Sequence, residues 1–202
     1  MFKLLPWVVL AALMITGCKK ETPAATEKAA GSDPAPTAQP AAKETPPPAK
    51  SDYPASEAGA KALLGAFLKP GANLGALSMQ LKPTSADYSA VFSSPEVAKQ
   101  AEQVYAGLWG MVEKHPIGPK AGQTELLLWS ATTDELKAGT GNSDKFPGGY
   151  KRVAQHLKPG LTVYRWKFVK PGETLGMAFD GLYNVGGRWV LMPKPWRIVR
   201  GH

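Results

Sequence analysis

The chain has 202 residues, a formal net charge of +8 and a single cysteine. One cysteine excludes an intramolecular disulfide framework, and with only three histidines the chain is poor in zinc ligands. The excess of cations points to anionic partners rather than acidic-surface repulsion, and its placement along the chain says more than its size.

Residues 1–17 have the make-up of a signal peptide. Lys3 is the one cation, Leu4 to Ile15 is mostly apolar, and the small residues Thr16 and Gly17 follow. The apolar run is well short of the roughly 20 residues needed to span a bilayer, and Pro6 interrupts it. It ends at Ile15-Thr16-Gly17-Cys18, which resembles the lipobox of bacterial lipoproteins at all four positions. The resemblance implies acylation of the Cys18 sulfur, cleavage before it and a mature chain that begins at Cys18. Membrane attachment would then run through acyl chains, two or more of which make anchoring stable where one is marginal. The alternative is an ordinary secretory signal with an incidental cysteine. Lys19 follows Cys18, and by resemblance to lipoproteins of Gram-negative bacteria it implies the outer membrane, with the protein facing the periplasm.

Residues 18–56 form the expected tether, rich in Ala, Pro, Thr, Lys and Glu and devoid of large aliphatic side chains. Such a segment cannot bury enough surface to offset its ordering entropy, so disorder with local polyproline II character is expected. Its reach would be about 34 Å as a flexible coil and about 118 Å at full extension. Five acidic residues balance five lysines here, making it a neutral spacer.

Residues 57–202 suffice for one domain with one core. Ser56 suits the cap of a first helix with a stripe of Ala60, Leu63, Leu64, Phe67 and Leu68, stopped by Pro70-Gly71. An irregular stretch with Leu74, Leu77, Met79 and Leu81 follows, then a short helical turn over Asp87 to Phe92. The clearest helix runs from Pro95 to Lys114. Ser94 caps it, Val97, Ala101, Val104, Tyr105, Leu108 and Val112 repeat at helical spacing, and His115-Pro116 ends it.

A strand is predicted over Gln123 to Ser130, then a Gly-rich loop from Gly139 to Gly149 and a short helix over Tyr150 to Leu157. In the last third, Tyr164, Trp166 and Phe168 alternate with Arg165 and Lys167. Pro171-Gly172 suits a type II turn. Leu175, Met177, Phe179 and Tyr183 are expected on one strand face, with Thr174, Gly176, Ala178 and Asp180 on the other. Gly186-Gly187 suits a hairpin, and Arg188 to Met192 returns before Pro193 and Pro195 stop it. Helices first and a meander of about four strands last predict an α+β domain, with the N-terminal helices on an antiparallel sheet. The element order is similar to NTF2-like folds and equally to a cystatin-like cone, and neither licenses a function.

Lys3 leaves with the signal and the tether is neutral, so the domain holds +7. Glu57 to Glu135 carries six basic and eight acidic residues, whereas Lys137 to His202 carries twelve basic and three acidic ones. The β-rich C-terminal half is therefore the cationic half. Its expected partner is an anionic envelope component or an acidic protein, or else it is simply a solvated face; nucleic acid is disfavoured by the secretion signal.

No constellation of residues carries recognisable chemistry. Gly139-Thr140-Gly141-Asn142 lacks the Gly-Lys-Ser/Thr of a phosphate loop, and Gly-x-Ser-x-Gly is absent. His115, His156 and His202 do not fall at ligand spacing, so neither metal nor cofactor is expected. Asp180 is the one candidate general base, should its face line a cavity with His115 or His156; a hydrogen-bonded turn or edge carboxylate is the plainer reading. Tyr183, Trp189, Trp196 and Arg197 are candidate ligand-binding residues, with core packing as the alternative for the aromatics. The expectation is a membrane-anchored, non-catalytic binding or scaffold module, the alternative a lipid-anchored enzyme using Asp180.

Overall fold

The computed structural model describes residues 50–199. The expected signal peptide, Cys18 and most of the expected tether lie outside the described residues, as do Arg200 and His202.

Each of the first four helices begins on a side chain that supplies what the free N–H groups of its first turn lack. In α1 (Glu57–Ala66) the Ser56 hydroxyl accepts from the Gly59 N–H at 3.2 Å. In α2 (Leu74–Gln80) Asn73 accepts from Ala76 at 3.0 Å. This stretch, expected to be irregular, is helical because the Asn73 cap starts it. In α3 (Ser85–Val91) Thr84 and Asp87 form a reciprocal capping box. In α4 (Pro95–Lys114) Ser94 caps and Pro95 fills the first position, as the sequence predicts.

The buried stripe of α4 is Ala98, Ala101, Tyr105, Trp109 and Val112. Val104, expected in the core from its spacing, is 48% exposed, and Met111 is 63% exposed. The helix is thus apolar over a wider arc than the core covers.

A four-stranded antiparallel meander follows, in the order β1 (Glu125–Thr132), β2 (Thr162–Val169), β3 (Gly176–Val185), β4 (Arg188–Leu191). The domain is α+β. Two short helices, α5 (Thr133–Ala138) and α6 (Gly149–Val153), lie between β1 and β2, with a 3-10 turn at Gly141–Lys145 inside the predicted loop and another at Ala154–His156. Lys170 accepts from the Glu173 N–H at 3.0 Å across Pro171-Gly172, and Gly172 sits at φ +73°, which is the predicted type II turn.

Trp166 and Phe168 are fully buried, with Phe67 at the end of α1 packed 6.2 Å from Phe168 and Phe179 stacked 5.1 Å from Trp166. Arg165 and Lys167 point to the opposite face, where both lie over the Trp129 ring at 5.7 and 5.8 Å. The later helices reach that second face, because Tyr150 of α6 hydrogen-bonds to Asp180.

One irregularity overturns the expected side assignment in β3. Arg165 pairs with Asp180, but the next residue back, Tyr164, pairs with Leu182, so Gly181 is an inserted residue. Beyond the bulge the alternation inverts. Phe179 stays on the Trp166 side, while Tyr183 pairs with Val163 and joins Asp180 on the other. Gly181 adopts φ +83°, and an added Cβ there would lie 2.1 Å from the Met192 carbonyl oxygen.

Candidate functional site

The bulge sets the geometry of the site. Met192 donates its N–H to the Gly181 carbonyl at 2.8 Å, continuing the line of β4 by one bond. Pro193 then has no N–H to give, and the Lys194 N–H goes to the Asp180 carboxylate at 2.9 Å. The chain turns away through a 3-10 turn at Pro195–Arg197, with Lys194 in the left-handed region at φ +54°. β4 therefore pairs only with Leu182 to Val185, and the first half of β3 has no strand beside it on that side among the described residues.

In place of a strand stands α4. Between the two lies a groove of about 550 Å3. Val104, Leu108 and Met111 wall it from the helix, Met177 and Phe179 from the strand, and Ile198 closes it from the C-terminal turn. Asp180, Lys194 and Arg197 supply its polar groups, with both cations exposed and the carboxylate buried. A smaller cavity of about 220 Å3 lies elsewhere, between Tyr53, Leu81 and Trp189.

Behind the groove sits a cluster of buried phenols around one carboxylate. Tyr150 donates to Asp180 Oδ1 at 3.0 Å, the oxygen that also takes the Lys194 N–H. Oδ2 has no hydrogen-bond partner among the described residues. Tyr105 donates to the Pro193 carbonyl at 3.0 Å and so ties α4 to the turn. Burial raises the Asp180 pKa above the ordinary carboxyl value; the bonds from Lys194 and Tyr150, then the charges of Lys194 and Arg165, pull it part of the way back. Burial also pushes Tyr150, Tyr105 and Tyr183 well up, and the nearby Asp180 carboxylate adds to each. All three phenols stay neutral at physiological pH; Tyr150 and Tyr105 donate, while the buried Tyr183 hydroxyl has no hydrogen-bond partner among the described residues.

Of the sequence candidates, Asp180 and Arg197 reach the groove. Asp180 sits in a strand, hydrogen-bonded and buried; of the two described histidines neither His115 nor His156 lines the groove, and tyrosines take the place foreseen for them. Tyr183 is wholly buried beneath the site, a core residue. Trp189 is also core; its indole donates to the Tyr53 carbonyl at 3.1 Å and its ring meets Tyr164 edge-on. Trp196 packs on Tyr150 at 5.2 Å, holding the C-terminal turn against α6 rather than lining the groove.

Val104, Leu108, Met111 and Met177 escaped the sequence reading as site residues. The signal available was a second apolar row on α4, Val97, Val104, Leu108 and Met111, beside the row that supplies the core. Among the described residues no group of three or more His, Cys, Asp or Glu could hold a metal ion, and no helix is long and apolar enough to cross a membrane. Comparison with protein-family models, curated proteins and solved structures finds no match.

Proposed function

We propose that this protein is a lipid-anchored lipoprotein of the bacterial cell envelope, whose α+β domain is a non-catalytic binding module for an apolar ligand that bears negative charge. The anchor half of the reading is supported by the likeness of Ile15-Thr16-Gly17-Cys18 to a lipobox and by the abrupt change of composition after it. Acyl chains on Cys18 would hold the protein at the membrane, and the neutral tether would let the domain range from it. In a Gram-negative cell, Lys19 favours the outer membrane, with the domain in the periplasm.

The binding half rests on one observation: the groove between α4 and β3 is apolar, open, and flanked by Lys194 and Arg197. Val104 and Met111 are large apolar side chains left 48% and 63% exposed on the same helix wall. Adjacent exposed apolar residues in a concavity mark interaction sites, and cations at the edge select for anionic ligands. The test is titration of the full chain with anilinonaphthalene sulfonate, an apolar anion. Saturable binding that Met111→Glu abolishes agrees with the reading; binding that ignores groove substitutions sinks it.

A second reading has its own support. Asp180 is a buried carboxylate with a raised pKa, one free oxygen and a place in the groove, the profile of a general base. A lipid-anchored enzyme would lose turnover in Asp180→Asn while keeping ligand affinity.

A further inference from the structure

We propose that the groove takes an extended peptide segment of another protein, added as a strand to the free edge of β3 at Gly176–Phe179 and carrying a carboxylate to Lys194 and Arg197. The proposal rests on the binding-module reading and names the chemistry of its ligand.

β3 is ten residues long and β4 only four, so the unpaired half of β3 presents backbone groups that an apolar small molecule cannot satisfy and a peptide can. Proteins normally blunt such an edge with lysine, proline or a covering element. This one carries Gly176, Met177, Ala178 and Phe179, with no charge or proline among them. The dimensions agree with an added strand. Val104 to Met111 spans about 10 Å along α4 at 1.5 Å per residue. Gly176 to Phe179 spans about 10 Å at 3.3 Å per residue. A strand laid between them would turn alternate side chains toward α4, at a repeat of about 7 Å, close to the 6 Å from Val104 to Leu108.

Charge and composition select the occupant. Two copies of this chain joined edge to edge would bring Lys194 and Arg197 of each against the other, on a domain that already holds +7. The tether of this chain is unsuited, because it has no large aliphatic side chain and repeated prolines that cannot donate to a ladder. A partner segment with apolar residues at alternate positions and Asp, Glu or a free C-terminus at one end meets every feature of the groove.

The full chain, held in detergent, would be panned against a random nine-residue peptide display library, with the Met111→Glu variant as counter-target. The expected result is enrichment of sequences with alternating apolar positions and an acidic end. The enriched peptide should bind about tenfold more weakly to Met111→Glu and to Lys194→Glu/Arg197→Glu. It should slow hydrogen exchange at the amides of Gly176 to Phe179, and alternate N-methylation of its backbone should abolish binding. Met111, Lys194 and Arg197 are all exposed, but the Lys194 charge acts on the Asp180 carboxylate, so the parent melting temperature is expected of Met111→Glu and of Arg197→Glu alone, which a thermal scan checks and in which the peptide should already bind more weakly. No enrichment, or protection confined to other amides, overturns the proposal, as does a stable dimer that protects this edge. If anilinonaphthalene sulfonate still binds the groove while no peptide does, the binding-module reading survives alone. If neither binds, both fall.

Discussion

Gly181→Ala is the substitution that tests how the site is built. Alanine at φ +83° would suffer left-handed strain of roughly 1–2 kcal/mol. Its Cβ would also lie 2.1 Å from the Met192 oxygen, 2.8 Å from its carbonyl carbon and 3.2 Å from Pro193 Cα. Those are backbone atoms, so relief requires moving the strand exit by more than an ångström toward ordinary contact at about 3.5 Å. That shift breaks the 2.8 Å bond from Met192 to Gly181 and strands buried polar groups, a loss of about 1–3 kcal/mol. The total is about 2–5 kcal/mol, a large part of the 5–15 kcal/mol typical of a domain. Gly186→Ala is the control: Gly186 has φ +59° and nothing within 4 Å of an added Cβ, so only the strain applies, roughly 1–2 kcal/mol. Urea unfolding followed by tryptophan fluorescence gives both values from the midpoint at constant m. Equal losses in the two variants would refute the claim that the Gly181–Met192 approach holds the site together.

Asp180→Asn should stabilise the domain near neutral pH. The folded-state pKa of Asp180 is raised, so ionisation penalises folding above that value, and the penalty fades as pH falls through it toward the ordinary carboxyl range. The gain in the variant should therefore shrink on acidification; a loss of stability that is constant with pH would contradict it. Arg188→Met should cost about 2–3 kcal/mol in chemical denaturation, less than a fully buried pair because the two side chains keep 15% and 8% exposure. It leaves Asp87, the capping residue that also accepts from Thr84 at 2.7 Å, without its cation, and Asp87→Asn in the same chain should return part of the loss; an Arg188→Met midpoint matching the parent would count against the pair. Cys18→Ser should abolish acyl mass in intact-mass spectra and release the protein from membrane fractions; retention at the membrane by the variant would remove the anchor reading.

The helices and strands were mostly legible because their signals are local. Ser94-Pro95 and His115-Pro116 bracket α4 within a few residues of sequence, and Tyr164, Trp166 and Phe168 announce β2 by alternation alone. Leu74 to Gln80 was not read as a helix because seven residues with Gly75 near the start show no apolar period; Asn73, the cap, was the cue. Burial was less legible than element type. The period of α4 fits two apolar rows, and only packing decides that Tyr105 and Trp109 go inside while Val104 and Met111 stay out. The bulge had one local cue, Gly181 inside the strand, since a strand-interior glycine often marks a bulge without fixing it. Apolar alternation alone carries the strand through Asp180-Gly181, and the insertion is fixed by the approach of the Met192 carbonyl, eleven positions away. Asp180 could be singled out for its chemistry but not given its neighbours. Tyr150 lies 30 positions before it and Tyr105 touches the site through Pro193, 88 positions on, contacts that no short window holds.

The open edge and the buried carboxylate have a common cause. Had β4 run on past Met192, its backbone would have paired with Phe179 and its neighbours, and the Lys194 N–H would have entered the ladder. Asp180 would then lack its backbone donor, and a buried carboxylate deprived of a donor is costly. Instead Gly181 inserts, Pro193 breaks the ladder, and the freed Lys194 N–H turns to Asp180 Oδ1. The turn that leaves the first half of β3 without a second strand among the described residues is thus the turn that Asp180 Oδ1 holds, while Tyr105 and Tyr150 hold its two sides through Pro193 and Asp180. Leaving an apolar strand edge open exposes a chain to aggregation, yet here three buried polar side chains are arranged around the segment that keeps it open. That arrangement is what an edge kept for a partner requires, and it rests on Gly181 and on the Oδ1 acceptor of residue 180, which Asn would keep, neither of which need touch the partner.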